Sequence, residues 1–177
     1  MVRLTSPDVG PADYRRYLTA MARVYGGLEP PLFAVVAAEL PDAAVAALCL
    51  RPKYPALLAD LAANGLAPPV LAAAPLTADP HPATLSTALG GLYVLEGATL
   101  GGRIIVRQLR RLLGERLVGD AFMDFHGDQA SAVWKGFSQA LDCLVADGLV
   151  VPGQAITAAC AAFDQVYRML APVEMSG

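Results

Sequence analysis

Leu92-Tyr-Val-Leu-Glu-Gly-Ala-Thr-Leu-Gly-Gly-Arg103 is the stretch that decides the reading of this chain. It places Gly97, Gly101 and Gly102 inside a run whose flanks read as helix. Each interior glycine costs roughly 0.5–1 kcal/mol relative to alanine, so a helix keeps several together only where the missing side chains are useful. Removing Cβ lets a flat body press against the backbone and lets the helix bend. Gly97 and Gly101 stand four apart and share a face. Two readings follow: a backbone platform for a flat ligand, or a Gly-x-x-x-Gly contact between packed helices. Nucleotide loops are excluded, because neither G-x-G-x-x-G nor a closing Gly-Lys-Ser/Thr is present.

Outward from this motif, helical periodicity dominates. Pro11 opens a helix whose stripe is Tyr14, Tyr17, Leu18, Met21 and Val24. Gly26-Gly27 is expected to end it, with Pro30-Pro31 starting a shorter helix through Leu40 and Asp42 capping another. Ala56 to Ala63 reads as helix stopped by Asn64-Gly65. A proline-rich connection runs from Ala67 to Pro82, and a long helix spans Ala83 to Leu113, closed by Gly114. Two more follow, with seams Val133, Trp134, Phe137, Leu141, Leu144 and Ile156, Ala159, Cys160, Phe163, Val166, Tyr167, Leu170. The expected class is all-α, one domain over residues 1–177.

Composition narrows the function. The 177 residues are 55% hydrophobic with net charge −3, which lacks the footprint of a nucleic-acid binder. The best membrane candidate, Pro31 to Leu50, is interrupted by Glu39, Pro41 and Asp42, so no span is expected. No signal peptide is read at the start, and the expected compartment is the cytoplasm. Cys49, Cys143 and Cys160 form neither a disulfide framework nor a zinc spacing, and Cys143 and Cys160 are expected in the core.

Leu95-Glu-Gly-Ala-Thr-Leu-Gly-Gly-Arg103 resembles the distal-helix motif of heme oxygenases, especially the bacterial type encoded beside bacteriophytochromes. Phe122-Met-Asp-Phe-His-Gly127 with Trp134-Lys-Gly-Phe137 is similar to a second region of that family. Ala12-Asp-Tyr-Arg-Arg-Tyr-Leu18 and Leu57-Leu-Ala-Asp-Leu61 fit its spacing. The resemblance implies a heme-oxygenase-like bundle with a kinked distal helix. Gly97, Gly101 and Gly102 would lie over heme, with Tyr93 and Thr99 beside it and Lys135 near a propionate. Active members cleave heme to biliverdin, CO and iron, using O2 and an external reductase.

One departure redirects that expectation. The family carries its iron-ligating histidine on a helix upstream of the segment resembling Ala12–Leu18, and nothing here matches that helix. The two histidines are His81, between Pro80 and Pro82, and His126. His126 is the candidate iron ligand, set against a hydrogen-bonded role near the surface. Glu96 is read as a solvated or helix-pairing charge, and Arg103, Arg107, Arg110 and Arg111 chiefly as a solvated face. The expectation is a degenerate relative that binds heme or a bilin, or regulates another protein, without normal turnover. Its apolar groove would be covered by a second copy or a partner protein. The alternative is an active oxygenase.

Overall fold

A computed structural model of the protein describes residues 4–71 and 83–170. Six α-helices build it: α1 (Pro11–Glu39), α2 (Asp42–Ala47), α3 (Tyr54–Ala63), α4 (Leu85–Leu113), α5 (Ala130–Ala146) and α6 (Pro152–Leu170). The class is all-α, and the described residues contain no strand. Helix α4 is the hub, packing against α1, α5 and α6. Leu18, Leu28, Leu32, Leu57, Leu61, Leu89, Leu92 and Phe137 are fully buried in one core.

The ends of α4 follow from local chemistry. Thr84 caps its start, accepting from the Thr87 N–H at 3.3 Å, while the Thr87 hydroxyl accepts from the Thr84 N–H at 2.8 Å. Gly114 ends it at φ +54°, a conformation that a side chain disfavours. The helix runs unbroken through Gly97, Gly101 and Gly102. Together with the turn after it, Leu85–Arg116 is long and apolar enough to cross a membrane, and half of the relevant window is buried inside the bundle. That segment, rather than Pro31–Leu50, is the most apolar long helix among the described residues.

Three expectations are corrected. Helix α1 does not stop at Gly26-Gly27 but continues through Pro30 and Pro31. A proline ring collides with the carbonyl four residues back, and here those carbonyls belong to Gly26 and Gly27, whose backbones can yield. Gly26 has a second use. A Cβ there would sit 2.8 Å from the Tyr54 ring, so the glycine lets α3 approach. The second correction concerns α6. Its inward face is Ala158, Ala162 and Gln165, whereas Ile156, Phe163 and Tyr167 are 63%, 65% and 70% exposed. The small face lies inward because a Cβ at Gly90 of α4 would come within 2.2 Å of the Ala155 carbonyl oxygen. Backbones that close leave no room for Phe or Tyr. A third correction concerns two cysteines: Cys143 of α5 and Cys160 of α6 are both exposed rather than in the core.

Candidate functional site

Sequence reasoning places the site on the glycines of α4; the structure sends each glycine to a different neighbour. A Cβ at Gly97 would lie 3.3 Å from the Trp134 ring of α5. A Cβ at Gly102 would lie 2.9 Å from the Met123 carbonyl oxygen, while Gly101 faces open space. Two of the three are therefore taken up by the protein's own packing. Tyr93 stacks edge-on against Trp134 at 4.9 Å and is partly exposed. Thr99 is buried, its hydroxyl donating to the Glu96 carbonyl at 2.7 Å. Lys135 is exposed on α5. His81 lies outside the described residues.

Between α1 and α4, beneath Thr99 and Gly102, there is a cavity of about 20 Å³ lined by Tyr17, Met21, Tyr25, Phe122 and Met123. Pockets for small molecules run to roughly 300–1,000 Å³. The residues present do not make room for a macrocycle there.

The polar centre lies instead behind α4. Glu29 of α1, Lys53 before α3, Glu96 of α4 and His126 before α5 are all buried. The Lys53 ammonium donates to Glu96 Oε2 at 2.5 Å and to the Arg51 carbonyl at 3.2 Å, and lies 3.9 Å from Glu29 Oε1. Glu29 also accepts the backbone N–H of Lys53 at 2.8–2.9 Å and that of Tyr54 at 2.7 Å. These N–H groups open α3, so a carboxylate from another helix satisfies donors that no local residue caps. Glu96 Oε1 stands 2.6 Å from His126 Nε2. His126 Nδ1 stands 3.1 Å from Arg51 Nη2, and Phe125 lies under the Arg51 guanidinium at 4.8 Å.

Geometry assigns the histidine's state. A guanidinium can only donate, so Nδ1 accepts and Nε2–H donates to Glu96. Burial holds the His126 pKa below its ordinary value, Glu96 opposes this, and Lys53 and Arg51 add to it. Burial also pushes the Glu29 carboxyl up, against the pull of the Lys53 and Tyr54 N–H groups and the Lys53 ammonium. The formal charges match: two carboxylates, one ammonium, one guanidinium and a neutral imidazole.

Of the two readings of Glu96, the pairing one stands: it is buried and joins α4 to Lys53 and His126. His126 is not near the surface, being 7% exposed, and it has an ordered acid in Glu96. With both ring nitrogens engaged, it does not fit the role of iron ligand. Among the described residues, no group of three or more His, Cys, Asp and Glu side chains could hold a metal ion. Of the arginines, Arg103 pairs with Asp128, and Arg110 bridges Asp120 at 2.7 Å and Asp124 at 2.9 Å, pinning the 120–128 segment to α4.

Sequence reading passed over Arg51, Lys53 and Glu29. A signal existed for Glu29, which continues the apolar stripe of α1 between Tyr25, Leu28 and Leu32. A charge on such a stripe asks for a buried partner. Comparison of the chain with protein-family models, with characterised proteins and with solved structures gives no match.

Proposed function

We propose that this chain is a non-catalytic interaction protein on a heme-oxygenase-like scaffold, acting by association with protein rather than by turning over heme. The observation that carries this reading is the contrast between the two faces that could bind something. The glycine face of α4 is largely taken, by Trp134 against Gly97 and Met123 against Gly102, and the cavity that the described residues line beneath it is about 20 Å³. The outer face of α6 carries large apolar side chains in water. Regulatory association accounts for such a face, since monomers rarely leave contiguous apolar patches uncovered.

Tetrapyrrole binding on the glycine face is the second reading, and Gly101 is the observation that favours it, having nothing within 4 Å. A heme or bilin there would have to displace Trp134 from Gly97 and would meet no free imidazole among the described residues. Hemin titration of the purified chain tests both. The expected result is no saturable Soret band and no biliverdin when a reductase system and O2 are supplied. Steady biliverdin formation would overturn the proposal and restore the active oxygenase.

A further inference from the structure

We infer that the outer face of α6 docks a second copy of this chain, antiparallel, through Ile156, Cys160, Phe163 and Tyr167. This rests on the reading of the chain as an interaction protein and names its partner. The four residues are spaced four, three and four apart, the strict two-in-seven pattern of a helix–helix seam. They fall within a stripe about 60° wide at roughly 100° per residue. All four are exposed, although α6 already buries its alanine face against the bundle. Among the described residues the helix therefore has one apolar face packed on the bundle and a second that is exposed.

The seam is complementary to itself. When α6 meets its own copy antiparallel, Tyr167 lies across from Ile156 of the partner subunit and Phe163 lies across from Cys160 of the partner subunit. Each large ring faces a smaller side chain, twice, as a two-fold axis requires. Charge agrees with this arrangement. Asp164 is the charge nearest the seam on α6, with Arg168 further round the helix, and antiparallel pairing sets Asp164 against Thr157 of the partner subunit rather than against its own copy. A membrane surface is the poorer occupant, because Arg168 is the one cation on α6, whereas an interfacial helix carries several.

Area sets the strength. An aromatic side chain buries about 150–250 Å², and Phe163 and Tyr167 remain 65% and 70% exposed. With Ile156 at 63%, the apolar seam is on the order of 300 Å² per copy, against about 800 Å² per partner in a standard interface. The polar flanks of α6 supply the remainder, so the dimer is reversible rather than permanent.

Sedimentation equilibrium of the full chain over a range of concentrations is the test, with Phe163→Asp and Tyr167→Asp beside it and circular dichroism to verify that each variant is folded. We expect a monomer–dimer equilibrium for the native chain and at least tenfold weaker association for each variant. A short bis-maleimide should join copies carrying Cys160 alone and leave copies carrying Cys143 alone unlinked. A native chain that stays monomeric overturns the inference, as does a dimer unmoved by both variants or a cross-link through Cys143. So does a monomer that binds anionic phosphatidylserine vesicles through Phe163. The two readings fail separately: a monomer without heme turnover removes the dimer alone, and a dimer that makes biliverdin removes the non-catalytic reading alone.

Discussion

Around Glu96, ionisable side chains are buried and matched; along α6, apolar side chains stand in water and unmatched. The usual distribution is inverted in both places, for different reasons. Charges survive inside because every one has a partner: Lys53 between Glu29 and Glu96, and His126 between Glu96 and Arg51. Apolar residues remain outside because the alanine face of α6 is the one that fits against Gly90. The first region satisfies its own requirements within one chain. The second leaves Ile156, Phe163 and Tyr167 exposed, which is the face proposed above to associate.

The sharpest way to break this contrast is to unmatch the interior. Lys53→Met removes the only ammonium between two buried carboxylates, and losing one partner of a buried ionic set costs about 3–5 kcal/mol. Urea denaturation should show that loss, and a change below 1 kcal/mol would mean that water reaches the cluster. Next in size is Gly90→Val, which places a Cβ against the Ala155 carbonyl oxygen. Overpacking of this kind costs about 1–3 kcal/mol or more. It should loosen α6 specifically, visible as faster amide exchange across Ala155–Ala162.

Acidity sharpens the same region. The folded pKa of His126 is lowered, so its contribution to stability is complete above the unfolded value of about 6.5. That contribution is lost as pH falls through the folded value. His126→Gln keeps a donor for Glu96 and an acceptor for Arg51 without titrating. Its urea midpoint should therefore fall less than that of the native chain on acidification below pH ~6.5. Glu29 acts in the opposite sense at lower pH. Its pKa is raised, so its contribution is present below the unfolded value and lost as pH rises through the folded one.

Smallest is Gly101→Ala. Its Cβ meets nothing within 4 Å, so helix propensity alone decides, with a gain of about 0.5–1 kcal/mol in thermal or urea unfolding. A loss instead would mean that the open face of Gly101 is needed by the fold.

Much of the helical framework is legible in the residues themselves. Thr84 and Gly114 mark α4, Asn64-Gly65 stops α3, and Phe137 and Leu144 define the buried side of α5. These signals act over one or two turns, through capping hydrogen bonds, positive φ and side-chain periodicity. The joining of α1 across Gly26 and Pro30 was less legible, because two residue types that each break a helix compensate when they stand four apart.

What the sequence by itself determined is the all-helical class and, α1 apart, where the long helices lie. Which face of α6 turns inward was decided by tertiary structure, since periodicity gives equal weight to a stripe of alanines and a stripe of large residues. Contact with Gly90 breaks the tie, admitting only the smaller one. The ionic cluster was decided in the same way. Glu29, Lys53, Glu96 and His126 come from two long helices and two connections, far apart in sequence, and each alone reads as a surface charge or a lone histidine. Only their convergence in a dry interior, where an unmatched charge is untenable, makes them one structure.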